Sequence, residues 1–326
     1  MERTENKNNT LKIASLLLIL LGIVIFFFFG NDSEEMPNND SNSQSDLGVV
    51  EFEGKKYRYN SNLFNIMFLG IDNEGEMIEH DIPGFAGQSD TIMILSLNKE
   101  TKGGMILQVP RDTMTEIDIY DGSGNRYDTK EGQIALQYAY GSGGENSCWA
   151  MKKTVSELLY DLPIDGYLAL NIDSVAILND AIGGVTLTFP KDYTDIDPAF
   201  AKGATVTLTG EQAHDYIRSR DTDVNFSNQD RMERQLHYIP ALVNGIKSKV
   251  GAGGDYYEMF YPLLAEYMLT DMREDQIETF AEFDLVEANV QFLPGEWVSG
   301  EEHDEYHVND EELQKNLIET FYILAE

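Results

Sequence analysis

The sequence predicts an α/β fold in which helices pack against a central sheet. Short apolar runs of strand length alternate along the chain with segments whose apolar residues recur at helical spacing, and this alternation is typical of an α/β sandwich. The chain has 326 residues and 42% hydrophobic residues, which is enough for one large domain or two small ones. We find no internal repeat in it.

The predicted elements begin after residue 48. A hairpin that turns near Gly54 comes first, followed by three buried strands at 64–71, 91–97 and 105–109. Further strands are expected at 167–170 and 185–189. Helices are expected at 151–159, 175–182, 211–217, 231–249, 256–268, 273–283 and 310–324. The globular domain is therefore expected to cover 49–326, with a helical C-terminal extension at 255–326.

Residues 13–29 form the uncharged run IASLLLILLGIVIFFFF. As a helix it would be roughly 25 Å long, which is sufficient to cross the core of a bilayer. A cleaved signal peptide is the alternative, but no small-x-small cleavage site follows the run. We expect a cytoplasmic tail at 1–12, a transmembrane anchor at 13–30 and a flexible acidic linker at 31–48.

The charges that flank this run predict its orientation. Arg3, Lys7 and Lys12 precede it, and acidic residues follow it. Because basic residues stay on the cytoplasmic side, the bulk of the chain is expected outside the cell. The expected localisation is the cell membrane, with a single pass and a cytoplasmic N-terminus.

Composition and missing motifs exclude several classes of protein. The formal net charge of −34 repels phosphates, so a nucleic-acid partner is not expected. The single cysteine, Cys148, excludes an internal disulfide and a multi-cysteine metal site. The sequence contains no P-loop, no HExxH zinc-protease motif and no GxSxG nucleophile elbow. The five histidines are scattered and are interpreted as surface or packing residues.

Two acids lie at the ends of predicted strands. Asp72 ends the strand at 64–71, and Asp90 precedes the strand at 91–97. Ligands of α/β sheets bind at strand ends, and a pair of carboxylates suits Mg²⁺, which takes its other ligands from water and phosphate. Taken singly, each acid is better interpreted as a loop residue or a cap.

The arginines of this acidic chain occupy patterned positions. One follows a predicted strand. Two are two positions apart, so that an extended segment would point both the same way, and two are three positions apart on a predicted helix. These are Arg111, Arg218, Arg220, Arg231 and Arg234, with Gln235 beside the last. Such residues are usually salt-bridged at the surface. Facing two acids across a cleft, they would instead form a pyrophosphate–metal site.

Six motifs in order resemble those of the LytR-CpsA-Psr family. They are LGID at 69–72, SDTIMILSLN at 89–98, VPRDT at 109–113, AIGGV at 181–185, LTGEQA to YIRSR at 208–220 and DRMERQ at 230–235. They cover about 62–250. The resemblance implies an α/β/α sandwich with a central mixed sheet and an apolar tunnel for a prenyl lipid.

The resemblance also implies an activity. Similar proteins are Mg²⁺-dependent phosphotransferases that move an anionic glycopolymer, of the teichoic acid or capsular type, from undecaprenyl pyrophosphate to a peptidoglycan hydroxyl. By motif position, Asp72 and Asp90 would bind Mg²⁺ and share the catalytic role with Arg111, Arg218 and Arg220. The pyrophosphate would be bound by Arg111, Arg218, Arg220, Arg231, Arg234 and Gln235. The general base stays open between Asp90 and Asp112.

Two positions depart from the family pattern. Gln88 stands where the family often has arginine, and Gln133 stands where it often has lysine. Two alternatives therefore remain open: a hydrolase of lipid pyrophosphates and a non-catalytic binder of lipid-linked glycans. A transcriptional role is disfavoured by the outside topology and the negative charge. The apolar stretches at 175–182 and 236–246 would line the lipid tunnel or serve as ordinary core.

Overall fold

The computed structural model describes residues 49–78, 82–219, 262–272, 284–300 and 303–325, together with the helical positions 231, 234, 237, 238, 241, 242, 245, 248 and 249. The predicted tail, anchor and linker lie outside these residues, as does the predicted helix at 273–283. Within the described residues, no helix has the length and apolar character needed to cross a membrane.

Fifteen strands are described. They are β1 (Val50–Phe52), β2 (Lys55–Tyr59), β3 (Leu63–Ile71), β4 (Ser89–Asn98), β5 (Gly103–Val109), β6 (Met114–Tyr120), β7 (Arg126–Gln133), β8 (Gly166–Asn171), β9 (Thr186–Thr188), β10 (Thr205–Thr207), β11 (Met268–Thr270), β12 (Asp284–Phe292), β13 (Gly295–Ser299), β14 (Asp304–Val308) and β15 (Tyr322–Leu324). The helices with described bounds are α1 (Leu136–Tyr140), α2 (Gly144–Leu158), α3 (Asp173–Ile182), α4 (Gly210–Arg218) and α5 (Asp310–Phe321).

A six-stranded mixed sheet forms the centre of the fold, in the order β11–β8–β3–β4–β5–β12. β3 pairs with β8 in parallel and with β4 antiparallel, β4 pairs with β5 antiparallel, and β12 adds to β5 in parallel. The central strands β3 and β4 are apolar almost throughout, because both of their faces are covered.

Alternating side chains of the sheet belong to two separate cores. In β3, Ile66 packs with side chains of α3 and α4, whereas Met67 and Leu69 pack with side chains of α2 and α5. Because successive side chains of a strand point to opposite faces, the two cores lie on opposite sides of the sheet. Helices therefore cover both faces of a mixed sheet, in agreement with the predicted α/β class.

The predicted elements of the N-terminal two thirds are confirmed with small shifts of their ends, except that the helix predicted at 151–159 begins seven residues earlier, at Gly144. The strands at 64–71, 91–97, 105–109 and 167–170 correspond to β3, β4, β5 and β8. The helices at 151–159, 175–182 and 211–217 correspond to α2, α3 and α4, and the hairpin turns at Gly54, whose φ is +72°. The hairpin β6–β7, which pairs Met114 with Gln133, was not predicted.

Within the described residues, the expectation of a mainly helical C-terminal extension is wrong, although the predicted helix at 310–324 corresponds to α5. Of the predicted helix at 256–268, the described residues show only a helical turn at 262–264, and Met268 already begins β11. β11 and β12 add to the two edges of the central sheet, β13 and β14 form a hairpin, and α5 is the one regular helix among the described residues of this extension. β11 and β12 form strands because they pair with β8 and β5 at the edges of the sheet. Local sequence pattern does not reveal these pairings, because β8 and β5 lie far away in the chain.

The hairpin β6–β7 is tied to α2 through one buried carboxylate, that of Asp118. It accepts hydrogen bonds from Lys153 Nζ at 2.7 Å, Thr129 Oγ1 at 2.7 Å and Arg126 Nη1 at 3.2 Å. Burial opposes the charge of this carboxylate, but the hydrogen bonds from Lys153, Thr129 and Arg126 together outweigh it and lower the pKa of Asp118 to about 2.

We predict that Asp118→Asn lowers the free energy of unfolding at pH 7 by about 2–3 kcal/mol, because charge-assisted hydrogen bonds are lost. The folded-state pKa lies near 2, below the unfolded value of about 3.9. The stabilisation is therefore present above pH 4 and disappears as the pH falls towards 2. Chemical denaturation across this range checks it. Asp128→Asn, at an exposed position of the same hairpin, is the control; equal losses in the two variants would contradict the assignment.

Candidate active site

Four strands bring their chemically active residues to one edge of the sheet. β3 and β8 end there, with Ile71 opposite Asn171. Antiparallel β4 begins at this edge, and β5 ends at it, because Ile92 pairs with Val109. The sequence placed Asp72 and Arg111 just after strands and Asp90 at the start of one. The topology therefore gathers all three at the same edge.

A β-bulge aims Asp90 out of the ladder. Ile71 pairs with Ser89 and Gly70 with Thr91, so Asp90 is the extra residue on β4. The amides of Asp72 and Asp90 both donate to the Gln88 carbonyl, at 2.8 and 3.1 Å. The main chains that carry the two acids are thus joined at a single oxygen atom.

Gly87 allows this close approach. Its φ is +85°, and a Cβ atom at this position would lie 2.9 Å from the Asp72 carbonyl oxygen and 2.8 Å from Asn73 Cβ. Any other residue would be strained in this conformation and would push against the chain beside Asp72. The glycine therefore allows the chain that leads to Asp90 to lie directly against the chain at Asp72.

Asp90 lies between two arginines. Its Oδ1 pairs with Arg111 Nη1, and its Oδ2 pairs with Arg231 Nη1 at 2.6 Å. Arg111 also donates from Nη2 to Gln88 Oε1 at 2.5 Å. All three charged side chains are largely buried, with exposures of 14%, 13% and 9% for Arg111, Asp90 and Arg231. Arg111 follows β5, and Arg231 lies at a helical position of the segment 231–249. Asp90 therefore connects the sheet with a helix packed beside it.

The next residue, Asp112, faces the other side of the same guanidinium. Its Oδ1 lies 3.3 Å from Arg111 Nε and accepts a hydrogen bond from Gln133 Nε2 at 3.0 Å. Burial raises the pKa of Asp112, and the nearby charge of Asp90 adds to the increase, whereas Arg111 opposes it.

Arg218 reaches the site from the last residue of α4. Its Nε lies 3.4 Å from Asp72 Oδ1, and its Nη1 pairs with Glu74. Hydrogen bonding with Glu74 raises the pKa of Arg218 and lowers that of Glu74. Asp72 Oδ1 is shielded from solvent, yet it accepts no hydrogen bond from the described residues. Arg218 is helical, so the extended segment expected for Arg218 and Arg220 is wrong at Arg218.

Arg234 occupies a different environment. It is 4% exposed, its Nε donates to the Tyr216 carbonyl at 2.7 Å, and its Nη2 donates to the Ser219 carbonyl. Its guanidinium lies 5.8 Å from the centre of the Tyr193 ring. These contacts satisfy carbonyls at the C-terminal end of α4, where a positive charge is favourable. They give Arg234 a structural role in the described fold.

The structure thus brings together Asp72, Asp90, Arg111, Arg218 and Arg231 of the predicted site residues, and places Arg234 behind them. Arg220 and Gln235 lie outside the described residues. Sequence reasoning missed the direct contacts of Glu74 and Gln88. Glu74 carries no local signal, and Gln88 is marked by its departure from the family pattern but not by its contact; their partners are 144 and 23 residues away in the chain.

Negative charge is in excess in this site. Among the described residues, the carboxylates of Asp72, Glu74, Asp90 and Asp112 surround the guanidinium groups of Arg111, Arg218 and Arg231. Such a set can bind a phosphate-bearing ligand if a cation compensates the acids. The described residues contain no group of three or more His, Cys, Asp or Glu arranged around a metal. Mg²⁺ needs only one or two carboxylates when phosphate and water supply its other ligands.

Arginines and acids at the edge of a mixed α/β sheet define a class of site for polyanionic ligands. The LytR_cpsA_psr family model matches residues 23–318, and the chain belongs to this family. A curated relative from Halalkalibacterium halodurans, the polyisoprenyl-teichoic acid–peptidoglycan teichoic acid transferase TagU, is 30% identical over 180 residues. The match covers 55% of this chain and 52% of the relative, so the chain spans about half the length of the curated relatives it matches.

Solved structures share the fold. TagU of B. subtilis has a TM-score of 0.54 at 20% identity, covering 82% of this chain and 100% of that chain. TagT bound to LI-WTA has a TM-score of 0.54 at 21% identity, covering 85% of this chain and 95% of that chain. At these identities, the likeness shows the architecture of the central mixed sheet with its helices.

We predict that two arginines of the site differ sharply in their effect on stability. Arg234→Ala should lower the free energy of unfolding by about 3 kcal/mol, because it leaves buried carbonyls at the end of α4 without a donor. Arg218→Ala should cost less than about 1 kcal/mol, since its ion pairs are partly exposed. Chemical denaturation of both variants measures the difference. Similar costs would show that Arg234 does not hold α4.

Proposed function

We propose that this protein is a phosphotransferase that moves an anionic glycopolymer from a prenyl pyrophosphate to a hydroxyl of peptidoglycan. The observation that carries the proposal is the buried Arg111–Asp90–Arg231 arrangement beside Asp72, at the strand edge where the family motifs converge. The activity for which the TagU relatives are named, transfer of teichoic acid from a polyisoprenyl carrier to peptidoglycan, supports it.

The reaction requires charge to be neutralised on a leaving phosphate. The acceptor hydroxyl oxygen forms a bond to the phosphorus nearest the glycopolymer and gives its proton to a general base, for which Asp90 and Asp112 are the candidates. The bond from that phosphorus to the bridging oxygen breaks, and the prenyl phosphate leaves. Arg111, which pairs with Asp90, and Arg218, which lies beside Asp72, are the groups we assign to the pyrophosphate oxygens. Fixed guanidinium groups stabilise such charge strongly, because they are oriented before the reaction begins.

We assign a Mg²⁺ ion to Asp72 and Asp90. Two features of the chain support this assignment: Asp72 Oδ1 is shielded and accepts no hydrogen bond from the described residues, and acids outnumber arginines around it. When bound, the ion would supply positive charge to the phosphate oxygens. Without such a cation, the four carboxylates would repel a pyrophosphate.

The prenyl chain is assigned to the apolar side of the sheet that α3 and α4 cover. Several apolar side chains there are only partly buried, although they adjoin a fully buried core; they are Phe68, Ile172, Val175, Ile182 and Ala241. Partly buried apolar surface next to the pyrophosphate site is suited to a lipid tail. The stretch at 175–182 would thus contribute to a lipid tunnel as well as to the core.

Membrane anchoring by residues 13–30 completes the proposal. An anchor with basic residues on its cytoplasmic side would hold the domain outside the cell, where a membrane-bound carrier and peptidoglycan meet. The acidic linker at 31–48 would give the domain freedom to reach both.

We predict that Asp72→Asn or Asp90→Asn abolishes transfer while the protein still carries its lipid. An amide keeps the shape of the side chain but loses the charge that Mg²⁺ requires, so transfer should fall by about 100-fold or more. The lipid tail should stay bound, because its contacts are apolar. Product formation and co-purified lipid are measured on the same detergent-extracted protein, with and without a chelator.

The matched control for this experiment is Asp195→Asn, an exposed acid away from the described site. It should transfer as the wild type does. A folded Asp72→Asn, Asp90→Asn double variant with normal, chelator-insensitive transfer would show that the metal assignment is wrong. Release of the glycopolymer to water by the wild type, without transfer, would favour the hydrolase alternative.

We predict that protease added to intact protoplasts degrades the domain at 49–326, because the flanking charges orient it outward. Immunodetection with an antibody against the C-terminus follows the loss, and a cytoplasmic protein monitors the integrity of the protoplasts. Protection of the whole domain while the protoplasts stay intact would reject the topology.

A further inference from the structure

The C-terminal hairpin β13–β14 contacts the loop that carries Arg111. The Tyr306 amide donates to the Asp112 carbonyl at 2.9 Å, and Tyr306 forms a parallel bridge with Thr113. Tyr306 is itself fixed, because its hydroxyl donates to the Leu293 carbonyl at 2.5 Å just after β12. A segment almost two hundred residues away in the chain therefore supports the main chain next to the site.

Gln133 makes the corresponding side-chain connection. It ends β7 and is 9% exposed, and its Nε2 donates both to Asp112 Oδ1 at 3.0 Å and to the Asp304 carbonyl at 2.9 Å. A primary amide has two N–H groups, and both are used here. The side chain thus bridges the Asp112 carboxylate and the backbone of β14.

The contacts continue without interruption into the site. The oxygen of Asp112 that accepts from Gln133 also lies 3.3 Å from Arg111 Nε, and Arg111 pairs in turn with Asp90. The Gln133 amide is neutral, so Arg111 is the cation in direct contact with Asp112 among the described residues. A change at Gln133 would reorient the carboxylate and with it the Nε side of the guanidinium.

We propose that Gln133 is a positioning residue for Arg111: its amide holds Asp112 against the C-terminal hairpin, and Asp112 orients the guanidinium towards the pyrophosphate. This inference rests on the proposed transferase function and assigns a role to the C-terminal segment within it. Misplacement of a charge-stabilising group by about 1 Å can cost roughly 100-fold in rate. The effect is expected on kcat, because the interaction is realised most fully in the transition state.

The test uses the full chain in detergent, a prenyl-pyrophosphate-linked teichoic acid precursor as donor and peptidoglycan oligosaccharides as acceptor. Gln133→Leu should lower kcat by about 10- to 100-fold, with KM for the donor changed less than about threefold. Gln137→Leu is the matched control. Gln137 is another buried amide, four residues along the chain, that hydrogen-bonds the Asp118 backbone away from the arginines. It should lose stability but keep kcat.

A double-mutant cycle shows whether Gln133 acts on Arg111 through Asp112 or only stabilises the fold. If Gln133 acts through Asp112, Gln133→Leu should reduce kcat by less than about threefold in an Asp112→Asn background. Gln133→Glu keeps the volume while placing a second negative charge beside Asp112, so it should lower kcat at least as much as Gln133→Leu. This variant replaces Gln133→Leu if the latter does not fold.

The outcomes distinguish the two proposals. A wild type that forms no glycopolymer–peptidoglycan product overturns the transferase function and this inference with it. A wild type that transfers, together with a folded Gln133 variant of unchanged kcat, overturns the inference alone. Equal losses of kcat in Gln133→Leu and Gln137→Leu, or additive effects in the cycle, also overturn it.

Discussion

The carboxylate of Asp90 holds the site together, because each of its two oxygens pairs with a different arginine. Removing a carboxylate from water costs several kcal/mol, and removing a guanidinium costs a similar amount, so neither charge would be stable there alone. Asp90 makes this burial tolerable for Arg111 from the sheet and Arg231 from the helical segment. The β-bulge is what permits the arrangement, since an in-register strand would not leave Asp90 outside the ladder.

The free-energy cost of burying an unpaired charge also explains why so many acids surround the arginines. In a chain of formal net charge −34, a cluster of unpaired cations would attract carboxylates wherever the fold allowed it. Here Asp72, Asp90 and Asp112 come from the strand edge itself; Asp112 follows Arg111 directly, whereas Arg218 and Arg231, which contact Asp72 and Asp90, are far away in the chain. A polyanionic ligand therefore has to compete with these carboxylates for the guanidinium groups.

The C-terminal segment is part of this arrangement. β12 extends the sheet beyond β5, and β13–β14 contacts the loop that follows β5. β15 pairs with β2, so the two ends of the described domain lie side by side. Local pattern did not reveal the strands of the last seventy residues, because their hydrogen-bond partners are far away in the sequence. These partners are β8, β5, β2 and the Asp112–Thr113 main chain.

The sequence by itself determined the α/β class, the central strands and the candidate acids and arginines. Buried strands such as β3 have continuous apolar runs, and Asp72 and Arg111 stand at strand ends that pattern alone can locate. The tertiary structure alone decided which arginine meets which acid, that Arg234 turns to the carbonyls of α4, and that Gln88 and Gln133 join the network. The physical reason is that register, bulges and side-chain pairing depend on contacts between residues far apart in the chain, which no local periodicity encodes.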